Sequence, residues 1–319
     1  MAHPIEREYW VNIHTQGSAW TLRINDLKIW SYGRTGHQSV SYPISDNLKE
    51  GNNTASFIFA PLISQDPETG EFLQGPKPDF WVDVSIEAIN TRTQEKERLN
   101  TLLLRYDMET GELVTYDEPM GSNEPVHQTD HLRTNGEFHV NSPDMLVLGS
   151  GESIEAERVD MSFRVFDPIP DFHWRDEATE LEDTPLMRHE LRQAYQKLYR
   201  LFDAGDTEAI LRKAGPVWDR AGLLMAGGKS AREYVEPLPI ASQLIGMRRE
   251  PDGPRLEPLR LADDPVSDRL EFMGNGRLVS IRPSPLRWSY PDQPNKEPHT
   301  MPFVFYRTAA GEWRIATID

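Results

Sequence analysis

Three short stretches bring together residue types that do chemistry. Ala226-Gly-Gly-Lys-Ser230 has the glycines, lysine and hydroxyl of a loop whose backbone amides cradle phosphate. The first glycine of that pattern would fall on residue 223, which is Leu, and the stretch follows a helical pattern rather than a strand. A helix-ending turn explains it better than nucleotide binding. His127-Gln-Thr-Asp-His131, with His139 nearby, places two imidazoles and the Asp130 carboxylate together, and both groups are divalent-metal ligands. The two histidines would converge on a helix, but Gly121-Ser-Asn-Glu-Pro125 before them and Thr134-Asn-Gly136 after them read as loop. No glutamate stands where a His-Glu-x-x-His site needs it, so a solvated loop is favoured and no metal site is expected. Gly149-Ser150-Gly151 lacks the Gly-x-Ser-x-Gly spacing of a nucleophile elbow and precedes a strand pattern, so it reads as a turn. Neither a catalytic set nor a cofactor is expected.

Two groups of carboxylates have a spacing that suits binding. Asp66, Glu68 and Glu71, and again Asp107, Glu109 and Glu112, surround similar Glu-Thr-Gly-Glu turns at the ends of strand patterns. Acidic loops at one end of a sheet can dock a basic protein patch, since complementary charge speeds encounter and fixes register. They also read as ordinary solvated loops, and they lack the ligand spacing of a calcium-binding EF-hand.

The charge behind these loops is one-sided. The net charge is −17, with 28 acidic and 14 basic side chains in residues 1–175, five acidic and none basic in 176–183, and 18 acidic and 20 basic in 184–319. A negative field of this kind disfavours nucleic acid and anionic lipid, whereas a basic protein would be steered toward it. The same acidity also serves solubility alone. No run reaches the roughly eighteen apolar residues that span a bilayer, and the N-terminus lacks the basic and apolar regions of a signal peptide. No membrane insertion is expected, and the compartment reads as cytoplasmic, or periplasmic if a signal peptide has been removed. Zero cysteines exclude disulfides and thiolate metal sites.

Such residues need elements to hold them, and 319 residues suggest about two domains. Before residue 170 short strand patterns recur, at Tyr9 to His14, Trp20 to Ile24 and Leu27 to Trp30 around Asn25-Asp26, Thr54 to Phe59, and Phe80 to Asn90 with Val82, Val84, Ile86 and Ala88 on one face. This predicts an all-β antiparallel sandwich over residues 1–170. Pro168 and Pro170, followed by the five carboxylates of 176–183, predict an acidic linker over 171–184. Thr184-Pro185 then opens a helix of about eighteen residues that ends at Ala204-Gly205. Asp206 caps a second helix, which Gly215-Pro216 is expected to interrupt, and a third covers Ala231 to Val235. Strand patterns follow from Leu256, including a hairpin around Asn275-Gly276. Residues 185–319 therefore form an α+β domain, with helices against one face of a sheet.

This order, with Asp203-Ala-Gly-Asp-Thr-Glu-Ala-Ile-Leu211 and the terminal Phe305-Tyr-Arg and Gly311-Glu-Trp-Arg-Ile315, resembles the NTF2-like (cystatin-like cone) superfamily. The resemblance implies an apolar pocket, with Trp218, Tyr234, Trp288, Phe305 and Tyr306 as lining candidates and Asp219 or Glu233 as a carboxylate facing it. Core packing and solvated faces are the plain alternatives for these residues. The N-terminal Tyr9-Trp-Val-Asn-Ile-His14 and Trp20-Thr-Leu-Arg-Ile-Asn-Asp26 are similar to β-sandwich immunity and accessory proteins encoded beside type VI secretion effectors. That similarity implies a non-catalytic protein that neutralises a bacterial toxin, its partner, by direct binding through the acidic loops, the cleft between the domains, or both. Two other expectations compete with it. One is an enzyme or ligand binder using the C-terminal pocket, and the other is a structural subunit of a secretion apparatus.

Overall fold

The computed structural model describes residues 5–33, 36–65, 72–115, 144–147, 153–262 and 268–318. Contacts within the chain gather into two compact units, Ile5–Pro170 and a second from Asp171 onward. Antiparallel β-sheets dominate, with a few helices in the second unit.

The first unit contains β1 (Arg7–Gln16), β2 (Ser18–Ile24), β3 (Leu27–Tyr32), β4 (Gln38–Pro43), β5 (Gly51–Gln65), β6 (Phe72–Gln74), β7 (Trp81–Asn90), β8 (Lys96–Tyr106), β9 (Leu113–Thr115), β10 (Asp144–Val147) and β11 (Ser153–Val165). One sheet runs β4-β1-β7-β8-β9 and the other β10-β11-β5-β2-β3, with β6 on β5. Side chains alternate across a strand, so Tyr9, Val11 and Ile13 of β1 and Val82, Val84, Ile86 and Ala88 of β7 reach the interior from every second position. Trp20, Leu22 and Ile24 of β2 and Phe57 and Phe59 of β5 supply the facing layer. Rings join the layers, with Phe59 against Phe80 at 5.7 Å and Phe80 against Tyr106 at 5.0 Å. Asn25 and Asp26 both have positive φ and close the two-residue turn that sets Ile24 opposite Leu27.

The second unit contains α1 (Pro185–Ala204), α2 (Thr207–Met225), α3 (Ala231–Val235), α4 (Pro239–Leu244), β12 (Arg255–Leu256), β13 (Arg269–Met273), β14 (Leu278–Arg282), β15 (Arg287–Ser289), β16 (His299–Thr300), β17 (Phe303–Arg307) and β18 (Trp313–Ile318). The main sheet runs β13-β14-β17-β18, and β12-β15-β16 form a smaller one. Thr184 caps α1 by accepting from Met187 N at 3.2 Å, and Gly205 ends it in the left-handed conformation. Met187, Leu191, Tyr195, Leu198 and Phe202 fall on one face and pack with Val279, Ile281, Phe303 and Phe305 of the sheet.

Three expectations change. Helix α2 continues through Gly215-Pro216. Proline there removes only one backbone donor, and glycine before it has no Cβ to clash with the ring. The apolar stripe Ile210, Ala214, Trp218 and Ala221 runs unbroken across the site and holds the helix. The stretch read as an acidic linker, 171–184, is packed instead. Phe172 and Trp174 are buried and stacked at 5.3 Å, and Thr179 N and Leu181 N donate at 2.9 Å to Arg307 O and Gly276 O. The strand pattern that opens at Leu256 yields only the two-residue strand Arg255–Leu256.

Strands β14 and β17 pair at Leu278–Tyr306 and Val279–Phe305. Where the ladder would continue, the Tyr195 hydroxyl of α1 stands between them, accepting from Ile281 N at 3.2 Å and donating to Phe303 O at 2.7 Å. Burial pushes the titration of this hydroxyl well above the usual tyrosine range, so it stays a donor.

Candidate functional site

In the second unit α1, α2 and β18 border a groove of about 860 Å³. On α1 the buried stripe contributes Ala194 and Leu198, and the neighbouring positions Glu190, Gln193 and Lys197, three and four residues apart, point the same way. Arg212, Lys213 and Pro216 of α2 form a second wall. Phe305, Trp313 and Ile315 give an apolar floor, and Tyr306, His173 and Glu177 close one end.

The carboxylates of the groove are already engaged. Glu190 pairs with Arg307 at 3.0 Å and accepts from Trp313 Nε1 at 3.2 Å. Glu177 pairs with Arg314 at 2.8 Å and accepts from the Tyr306 hydroxyl at 3.0 Å, while Glu312 pairs with Arg314 at 2.6 Å. Burial, and then the bond to Glu177, raises the Tyr306 pKa above the usual range. His173 Nε2 lies 3.1 Å from Ile315 O, and since a carbonyl only accepts, that nitrogen carries the proton. Burial lowers the pKa of His173 and favours the neutral ring. Lys197, Arg212 and Lys213 are exposed and make no ion pair with the described residues. The groove thus combines an apolar floor with three cations not compensated by its own carboxylates, an arrangement that holds an anion.

The aromatic residues read as pocket candidates separate. Phe305 and Tyr306 line the groove. Trp218 and Trp288 lie in the hydrophobic core, with Trp288 edge-on to Phe202 at 5.2 Å, and Tyr234 packs against that core from a half-buried position. Asp219 and Glu233 serve the start of α3. Asp219 accepts from Ala231 N at 2.6 Å, and Glu233 completes a capping box with Ser230. Hydrogen bonds from Ser230 hold the Glu233 carboxyl below the usual range.

The glycine-rich stretch Ala226–Ser230 closes α2. Its amides at Ala226, Gly228 and Lys229 all donate to Gly222 O, at 3.0–3.3 Å, which leaves them turned toward the helix end rather than outward. A Cβ on Gly222 would meet Lys229 O at 2.1 Å, so only glycine fits.

In the first unit Asp107, Glu109 and Glu112 occupy the turn between β8 and β9. Asp107 Oδ1 accepts from Glu109 N at 2.8 Å, and Asp107 N donates to Glu112 O at 2.9 Å. Glu109 and Glu112 are exposed around a half-exposed Met108. Asp66, Glu68 and Glu71, the histidines at 127, 131 and 139, and Gly149-Ser150-Gly151 lie outside the described residues. Among the described residues no three His, Asp or Glu side chains gather to hold a metal ion, and no helix is long and apolar enough to cross a membrane.

Sequence reasoning missed the cationic walls. The available signal was local. Lys197 and Lys213 have no acidic residue three or four positions away on their helices, and the one such neighbour of Arg212, Glu208, is paired with Arg232. Compared with known proteins, the chain matches no family model, no curated protein and no solved structure.

Proposed function

We propose that this chain is a non-catalytic protein-binding protein, most concretely an immunity or accessory protein that neutralises a secreted bacterial toxin, of the type VI effector kind, by direct binding. One observation carries the reading. The part of the layer between helices and sheet that holds Trp218, Trp288, Phe202 and Phe303 is packed core, and the groove of about 860 Å³ beside it is open, with its glutamates paired to arginines. A buried apolar site with a free ionisable group is the default for a small-molecule enzyme, and the groove offers no free carboxylate of that kind. The surfaces left for recognition are charged: the carboxylate tip at Glu109 and Glu112, and the cationic groove. The succession of helices followed by an antiparallel sheet supports an NTF2-like architecture for the second unit.

The test is co-expression with the product of the neighbouring effector gene, followed by size-exclusion chromatography and calorimetry. A stable complex with micromolar or tighter affinity is expected. Failure to form one at micromolar concentration would overturn the proposal.

A further inference from the structure

We infer that the groove between α1, α2 and β18 is a docking site for an extended, acidic peptide segment of a protein partner. This rests on the protein-binding reading and names the surface and the chemistry of what it takes.

Charge is the first argument. In a chain of net charge −17, the groove inverts the sign. Its three glutamates pair with two arginines, Arg307 and Arg314, at 2.6–3.0 Å, and Lys197, Arg212 and Lys213, which meet no carboxylate among the described residues, leave the groove positive by two charges. A complementary partner supplies carboxylates to two walls at once, which a single small anion does poorly and a segment with several acidic side chains does well.

Shape is the second argument. Strand β18 ends its sheet, pairing with β17 alone. The Ile315 carbonyl points away from β17, because it is bound by His173, which itself lines the groove. Backbone direction repeats every two residues, so the Trp313 amide and carbonyl face the same open side. An extended segment laid along that edge can use these groups, and His173 marks where pairing stops. Side chains of such a segment that turn toward α1 and α2 meet Lys197, Arg212 and Lys213, and the alternate ones turn to the opposite face of the sheet, beside the ring of Tyr306. An alternating acidic and apolar sequence satisfies both.

The probe is a fluorescein-labelled octapeptide of alternating Glu and Val, titrated with the full chain by fluorescence anisotropy at low and at physiological salt. Binding that weakens with salt is expected. The Lys197→Ala, Arg212→Ala, Lys213→Ala triple variant should bind about tenfold more weakly, since each exposed charge pair is worth a few-fold. Circular dichroism and the melting temperature of the variant check that it folds. The inference is overturned if the Gln/Val octapeptide binds equally, if the triple variant keeps wild-type affinity, or if free glutamate displaces the peptide at comparable concentration, which would mark a small-anion site. The effector complex separates this inference from the reading beneath it. If the triple variant still captures the effector at full affinity, the groove assignment fails and the protein-binding reading stands. Peptide binding without any effector complex does the reverse.

Discussion

The two units differ in charge balance. In the first, residues 5–170 hold 27 acidic and 13 basic side chains, and Glu109 and Glu112 stand exposed at a hairpin tip. Burial also raises the pKa values of Asp83 and Glu157. In the second, acidic and basic side chains nearly balance, and several carboxylates are matched: Asp183 by Arg188 at 2.6 Å, Asp268 by Arg192 at 3.1 Å and Glu271 by Arg282 at 2.6 Å, besides the three glutamates of the groove. Charge left over after pairing therefore locates a surface more sharply than net charge does. The acidic unit announces itself in the composition, while the nearly neutral unit conceals a cationic groove.

The largest test of the comparison is whether the units are independently built. Trp20→Ala removes a fully buried ring from the first unit and Trp288→Ala a nearly buried one from the second. Each should cost about 3–5 kcal/mol. Hydrogen exchange in urea should localise the loss to amides of β1, β2 and β7 in the first case and of β14 and β17 in the second. Loss spread equally over both sets would break the division.

A smaller effect is expected at the sheet of the second unit. Tyr195→Phe keeps the ring but leaves Ile281 N–H and Phe303 O without their shared partner, which should cost about 1–3 kcal/mol in chemical denaturation. No change would show that the strands can close on each other.

The smallest effect sharpens the contrast through pH. Asp83 and Glu157 have raised pKa values in the folded protein, so their contribution favours folding at acid pH and is lost as pH rises through those values from the ordinary carboxylate range near 4. His173 has a lowered pKa, so its contribution is present above its ordinary value of 6.5 and is lost as pH falls through the depressed one. Asp83→Asn should stabilise the first unit at pH 7, and His173→Gln should flatten the acid-side decline of the second. Unfolding midpoints followed from pH 7 to pH 4.5 check both signs.

Much of the scaffold was legible because local chemistry and tertiary structure agree. Thr184-Pro185 and Gly205 bracket α1, the alternation of Val82 to Ala88 marks β7, and Asn275 and Gly276 adopt the positive φ values of their hairpin turn. Pro216 misleads because a local breaking rule yields to an apolar stripe that packs through it. Residues 171–184 mislead because their carboxylates outnumber Phe172 and Trp174, the two residues that anchor them. The groove was not legible because Glu177, Lys197, Arg212 and Arg314 come from four separate segments, and which charges cancel is decided only when these meet. Phe305 and Tyr306 were reached by resemblance, whereas the cations beside them follow from no motif.

The phenol oxygen of Tyr195 acts as a shim. Ile281 and Phe303 bond to it rather than to each other, so β14 and β17 diverge by the width of one hydroxyl beyond their two paired positions. The splay of the sheet is thus written on a helix, 86 and 108 residues away in sequence from the strands it separates. A fragment holding those strands without α1 would have nothing to keep them apart and would zip into a flatter ladder, so the shape of this sheet is a property of the whole unit.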